Sequence, residues 1–160
     1  MVSAALALRI NSAVANPEVL LSRAQVLTRY RHFREISKQH HSAVLDFLSK
    51  DAVMSQARRL GLAQGKTQIL DSYDDLNLAF DLAIHTAPKD RSRAIDRYAR
   101  ALRLDPESDE GLVLEAMRRG RFSIIVILRR HDVAGLIVED LFRGGEFWLI
   151  DEALERSLPR

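Results

Sequence analysis

Apolar residues recur at helical spacing along most of the chain and at strand spacing near its end. Steps of three and four residues are typical of a helix with one buried face. Such steps connect Val26, Tyr30, Phe33, Ile36, His40, Val44 and Phe47. The pattern predicts one long helix, or two nearly collinear helices with a break near His41-Ser42, where Ser42 would cap the second.

Further helices are predicted from start and stop signals. Asn16-Pro17 is typical of a helix start, Asp51 is a capping residue for a short helix through Leu60, and Gly61 suits the left-handed stop. Apolar stripes predict two more helices, over about 72–87 and 90–104. A last signal of this kind, Asp105-Pro106, opens a helix that ends at Gly120.

The pattern changes to strands after residue 121. Three runs rich in β-branched and aromatic residues are separated by polar turns: Phe122–Leu128, Val133–Phe142 and Glu146–Ile150. Asp151 caps a short final helix. The sequence therefore predicts an α+β fold: about five to seven helices, then a three-stranded antiparallel β-meander and a short helix.

The chain is predicted to form a single domain over residues 1–160, a length that suffices for a hydrophobic core. Within it, residues 1–61 hold the N-terminal helices and residues 71–120 the helical middle. Residues 62–70 form a linker, and residues 121–160 hold the meander and the final helix.

Both faces of the first strand are apolar, with Phe122, Ile124, Val126 and Leu128 on one and Ile125 and Ile127 on the other. A sheet buried on both faces needs cover on both. Helices supply one cover, and the other must come from the N-terminal segment or a partner subunit. The residues predicted for an interface are Trp148, Phe147, Ile125 and Ile127, and the predicted partner is a second copy or another protein.

Composition and charge narrow the class of protein. The 24 basic and 22 acidic residues give a formal charge of +2, so a nucleic-acid partner would have to use local basic patches. The absence of cysteine excludes disulfides and thiolate metal sites. No apolar run reaches the ~20 residues of a membrane span. Residues 2–8 are apolar, but no basic residue precedes them, which disfavours a signal peptide. A cytoplasmic location without membrane attachment is expected.

Two patterns resemble catalytic or metal motifs. Residues 61–67 look like a phosphate-binding loop, but they have three residues between the glycines where that loop has four. Asp81 and His85 are one helical turn apart and form a weak candidate metal pair, for which no further ligand is evident. His40 lies on an apolar face and is expected to be a hydrogen-bonded core residue. No catalytic residue and no cofactor is predicted.

Two basic stripes are the clearest charge pattern. Lys89, Arg93, Arg97 and Arg100 follow one another at helical spacing, and Arg31, Arg34 and Lys38 form a second basic flank on the long helix. A basic helical stripe can contact nucleic-acid phosphates or an acidic partner, or it can simply face solvent.

The strand region also carries a resemblance. Residues 122–152, including Ala-Gly-Leu-Ile-Val-Glu-Asp-Leu at 134–141 and Phe-Trp-Leu-Ile-Asp-Glu at 147–152, resemble a group of small uncharacterised bacterial proteins. Residues 92–101 (Ser-Arg-Ala-Ile-Asp-Arg-Tyr-Ala-Arg-Ala) share the pattern, and the likeness covers residues 23–155. The resemblance implies a bacterial cytoplasmic origin and transfers no site.

Three functions are compatible with the sequence. The first is a non-enzymatic regulatory or protein-interaction module that forms a homodimer through the meander or the long helix. The second is a nucleic-acid-associated protein that uses the basic stripe from Lys89 to Arg100. The third is a metal-dependent hydrolase around Asp81 and His85.

Overall fold

The structure is a computed structural model that describes residues 6–8, 21–64, 67–68 and 73–159. The helices in this part of the chain are α1 (Arg23–Val44), α2 (Lys50–Arg59), α3 (Tyr73–His85), α4 (Ala94–Leu102), α5 (Asp109–Arg118) and α6 (Glu152–Ser157), with a 3₁₀ turn at Leu45–Phe47. Among the described residues, no helix is long and apolar enough to cross a bilayer.

The strands form two antiparallel sheets. They are β1 (Leu6–Leu8), β2 (Ala63–Gln64), β3 (Thr67–Gln68), β4 (Ile125–Arg130), β5 (Leu136–Asp140) and β6 (Glu146–Ile150). The larger sheet has the order β1-β6-β5-β4, and β2 pairs with β3 in the segment predicted as a linker. The predicted α+β fold is confirmed, with the meander β4-β5-β6 followed by α6. Strand β1 was not predicted, and it adds a fourth strand beside β6.

Contacts divide the described residues into two compact units. Residues 35–120 form one, here called the helical unit. Residues 6–8, 21–34 and 121–159 form the other, here called the sheet unit. Helix α1 contributes its first half to the sheet unit and its second half to the helical unit.

The apolar stripe of α1 is buried as its spacing predicts. Val26 and Tyr30 are buried in the sheet unit, and His40 and Val44 are buried in the helical unit. The expected break near His41-Ser42 is wrong, because α1 continues without interruption to Val44. The predicted start at Asn16-Pro17 lies outside the described residues.

Serine caps replace two of the predicted aspartate caps. Ser49 caps α2 by accepting a hydrogen bond from the Ala52 amide, and Ser108 caps α5 in the same way. The side chain of Asp105 instead accepts from the Glu107 amide within the turn before α5. Asp151 caps α6 as predicted, accepting from two amides of its first turn.

Helix α4 is shorter than predicted, because it begins at Ala94 and ends at Leu102. Lys89 therefore precedes the helix, and Arg93 is its N-cap residue. Ile95 and Tyr98 are buried as expected, whereas Leu102 is exposed.

The core of the helical unit lies around α4. Val44, Ile84, Ile95 and Leu114 pack together there with Tyr98 and Ala94. His40 is buried beside them, with Nδ1 2.8 Å from the Tyr98 hydroxyl and Nε2 3.0 Å from the Glu110 carbonyl oxygen. The prediction of a hydrogen-bonded core histidine is thus confirmed.

The two faces of the larger sheet pack differently. On the inner face, Leu136, Val138 and Leu149 are buried against α6. On the outer face, Ile150 packs on Val26 and Tyr30 of α1. Because α1 lies over β6, helical cover of the outer face is concentrated at that side of the sheet.

A buried carboxylate connects the elements of the sheet unit. Glu155 on α6 accepts hydrogen bonds from Arg23 Nη2 at 2.9 Å and from the Gly135 amide at 3.1 Å. Arg130 at the end of β4 lies 3.9 Å away. The first half of α1, the turn after β4 and helix α6 are thereby bound to one side chain.

Gly135 offers a direct stability test. Its φ is +75°, and an added Cβ would lie 2.3 Å from the Leu149 carbonyl oxygen. Gly144 also has a positive φ, +68°, but no atom lies within 4 Å of its Cβ position. We expect Gly144→Ala to lower the free energy of unfolding by about 1 kcal/mol, the cost of left-handed backbone. Gly135→Ala adds a backbone clash and should lower it by about 3 kcal/mol or more. Urea titration measures both, and equal losses would contradict the packing described at Gly135.

Candidate protein-interaction surface

Strand β4 lies at the edge of the larger sheet. Among the described strands it has one neighbour, β5. The first pair between the two strands is Ile125 with Asp140, and the last is Arg130 with Leu136. An edge strand presents backbone N–H and C=O groups that a further strand can bind. The side chains and backbone of β4 therefore decide what this edge can contact.

Burial along β4 is incomplete on both faces. On the inner face, Ile125 and Ile127 are only half-buried, although Val138 opposite Ile127 is fully buried. On the outer face, Val126 is 40% exposed and Ile124 is 57% exposed. Helical cover thus decreases towards this edge on either side of the sheet.

Exposed apolar side chains continue beyond the strand. Leu141 lies opposite Ile124, whose carbonyl oxygen accepts a hydrogen bond from the Leu141 amide at 2.9 Å. Phe142, in the turn between β5 and β6, is 68% exposed. We call this set the β4 surface: Phe122, Ile124, Val126, Leu128, Leu141 and Phe142.

The Leu141–Ile124 bond also fixes which backbone groups of β4 point away from β5. Residues of an antiparallel strand bond to a given neighbour alternately. Since Ile124 bonds to β5, Val126 does as well. The N–H and C=O groups of Ile125 and Ile127 therefore point to the open edge.

A β-bulge and two arginines bound the apolar segment. The register with β5 shifts between Ile127 and Arg129, so that Leu128 is an extra residue. Residues 122–128 contain no charge and no proline, whereas Arg121 precedes them and Arg129 follows. Bulges and charged side chains limit the pairing of an edge strand with another strand. Residues 122–127, before the bulge, contain neither.

Asp140 holds the turn that carries Leu141 and Phe142. Its Oδ1 accepts hydrogen bonds from Ser123 Oγ at 2.5 Å and from the Phe142 amide at 2.9 Å. The Ser123 hydroxyl, together with the turn amides and Arg143, lowers the pKa of Asp140. The carboxylate therefore stays ionised and fixes this end of the β4 surface.

The four predicted interface residues lie mainly within the sheet unit's own packing. Ile125, Ile127 and Phe147 are half-buried against the cluster under α6. Trp148 stacks on His131 with ring centroids 4.2 Å apart and donates to the Ala134 carbonyl oxygen at 2.6 Å. Their role at an interface stays a prediction. The sequence placed Ile124 and Val126 on one apolar face, and their position between flanking arginines was the signal that could have singled them out.

The first basic stripe is bonded within the helical unit. Arg93 forms an ion pair with Asp96 at 2.7 Å, and this hydrogen bond lowers the pKa of Asp96. Arg97 donates to the carbonyl oxygens of Ser92 and Phe47, and Arg100 donates to Ser92 Oγ. These bonds give the guanidinium groups a structural role around α4, and their binding to phosphate stays a prediction, as does that of Lys89.

The second basic flank follows α1 and is also paired. Arg31 forms a two-bond ion pair with Glu152, at 2.6 and 3.0 Å, which lowers the pKa of Glu152. Arg34 donates to the Tyr30 hydroxyl at 3.2 Å. Lys38 pairs with Glu35 at 2.6 Å.

Asp81 and His85 lie on α3 as predicted. The structure adds His41, whose Nε2 is 2.9 Å from Asp81 Oδ1. In the part of the chain that is described, no group of three or more His, Asp or Glu side chains could hold a metal ion. Of the loop that resembled a phosphate-binding motif, Gly65 and Lys66 lie outside the described residues.

Comparison with known proteins places the chain in a family. It belongs to a family of unknown function (DUF7986), whose model matches residues 24–159. This match includes α1 from its second residue, the whole helical unit and the whole meander. No curated protein and no solved structure matches the chain significantly.

The environment of His85 predicts a pH dependence. Burial lowers the pKa of His85, which nearby Asp81 offsets only in part. The fold therefore favours neutral His85, while the unfolded chain takes up a proton near pH 6.5. The contribution of neutral His85 to the free energy of unfolding is therefore present above that pH, and it is lost as the pH falls below it.

The free energy of unfolding should decrease less between pH 7.5 and pH 5.5 in His85→Gln than in the unmodified protein. Urea titrations of both proteins across this range measure the two decreases. Parallel profiles for His85→Gln and the unmodified protein would contradict the prediction.

Proposed function

We propose that this protein is a non-enzymatic protein-interaction module, of bacterial origin and with a regulatory role, whose contact surface is the β4 surface. The observation that carries the proposal is the row of exposed apolar side chains on and beside an edge strand. Contiguous exposed apolar surface rimmed by polar groups marks sites of protein contact.

The local chemistry supports a protein contact. Ile124, Val126 and Leu141 are aliphatic, and burial of an Ile or Leu side chain costs only about 0.5–1 kcal/mol of rotamer freedom. Arg121 and Arg129 border the segment, which gives it the apolar centre and charged rim of a protein interface. The open backbone groups of Ile125 and Ile127 add directional hydrogen bonding.

Site-specific photo-crosslinking tests the proposal in cells that make the full chain. A photoreactive benzoylphenylalanine replaces Phe122, or, as a control, Leu112 on α5, which is similarly exposed at 47%. We expect Phe122→benzoylphenylalanine to give discrete protein adducts and the Leu112 variant to give few. Equal yields at the two positions, or no adduct at Phe122, would contradict the proposed surface.

A further inference from the structure

We propose that Ser92, in the segment between α3 and α4, is a phosphorylation site whose phosphate is held by Arg97 and Arg100. The site consists of residues of the helical unit, and it does not depend on the β4 surface. The observation that carries the proposal is the convergence on one serine of two guanidinium groups that have no carboxylate partner among the described residues.

Both guanidinium groups are directed at Ser92. Arg97 Nη1 donates to the Ser92 carbonyl oxygen, and Arg100 Nη2 donates to Ser92 Oγ at 2.8 Å. Each side chain also bonds to a second backbone carbonyl oxygen, that of Phe47 for Arg97 and that of Asp96, at 3.2 Å, for Arg100. These four bonds hold the two arginines in place before any anion is bound.

The positive charge at this site is not compensated by a carboxylate in the described part of the chain. Arg97 and Arg100 donate there to neutral oxygens. The nearby carboxylate of Asp96 pairs instead with Arg93 and Arg118, at 2.7 and 3.1 Å. A guanidinium has five N–H donors. Each of the two arginines uses two of them on described residues, so donors remain on both for the oxygens of an anion.

A phosphate on Ser92 matches these donors. Phosphoserine carries a charge of about −1.5 to −2 at neutral pH and has three acceptor oxygens, which form charge-assisted hydrogen bonds beside an arginine cluster. Ser92 also directly precedes Arg93, the N-cap residue of α4, whose side chain forms no capping hydrogen bond. A negative charge is favourable at this end of a helix. The phosphate would therefore be stabilised both by the arginines and by its place before α4.

The serine lies where a protein kinase can reach it. Ser92 is half-buried, and residues 87–91 before it are exposed and belong to no helix or strand. Lys89, Arg91 and Arg93 surround it in the sequence, and kinases select their substrates in part by such charge patterns. A serine kinase with an acidic substrate groove is therefore the enzyme that fits this segment.

The kinase would take the phosphoryl group from a nucleoside triphosphate. Ser92 Oγ forms a bond to the γ-phosphorus, and the bond from this phosphorus to the oxygen of the leaving nucleoside diphosphate breaks. The hydroxyl proton passes to a base of the kinase. The phosphate then replaces the hydroxyl as the acceptor of the Arg100 hydrogen bond.

Mass spectrometry of the full chain, isolated from the cells that naturally make it, tests the modification itself. Cleavage before aspartate releases residues 90–95, Asp-Arg-Ser-Arg-Ala-Ile, in which Ser92 is the only hydroxyl residue. We expect a fraction of this peptide to carry one phosphate. Its absence at every stage of growth would overturn the proposal, whereas adducts at Phe122 would still support the β4 surface.

The role of the arginines is tested on the full-length chain with Ser92→phosphoserine. Phosphorus NMR across pH gives the second pKa of this phosphate, which is ordinarily about 6. We expect it to lie about half a pH unit lower in the folded protein than in urea, because the guanidinium groups favour the dianion.

Arg100→Gln should remove much of this difference between folded and unfolded protein. The matched control is Arg103→Gln, at the exposed C-cap residue of the same helix, which should retain it. Equal pKa values of the phosphate in folded and unfolded protein, or an unchanged difference in Arg100→Gln, would overturn the arginine site.

Discussion

The constraint that governs this structure is that a strand with apolar side chains on both faces must be covered on both. Helix α6 covers the inner face over β5 and β6, where Leu136 and Val138 are fully buried. The first half of α1 covers the outer face beside β6. Neither helix buries β4 completely, so the exposed row from Ile124 to Leu128 follows from where the two helices pack.

A few polar contacts add to the apolar packing of these helices on the sheet. Glu155 binds Arg23 and the Gly135 amide, and Glu152 binds Arg31 through two hydrogen bonds. A buried carboxylate that lost its partners would be strongly unfavourable. These contacts therefore connect α1 and α6 on the β5–β6 side of the sheet, away from the edge strand β4.

Hydrophobic periodicity predicted the buried stripe of α1 and the meander, and residue type predicted the Asp151 cap. It was less reliable where several polar residues compete for one role. Ser49 rather than Asp51 caps α2, and Ser108 rather than Asp105 caps α5, because capping depends on which side chain reaches an amide two or three residues ahead. The fourth strand, β1, could not be predicted, since its pairing with β6 joins residues far apart in the chain. Likewise, the sequence showed that β4 is apolar on both faces. Which of its side chains stay exposed depends on long-range packing, which the sequence alone does not reveal.

Amide hydrogen exchange of β4, resolved by residue with NMR, tests the central claim most directly. In an edge strand that meets only solvent, the Ile125 and Ile127 amides exchange quickly, while the Val126 amide, directed at β5, is protected and serves as an internal reference. The account predicts this pattern for the isolated protein at low concentration, because none of the described strands pairs with the open edge of β4. Protection of all three amides under these conditions would contradict the account.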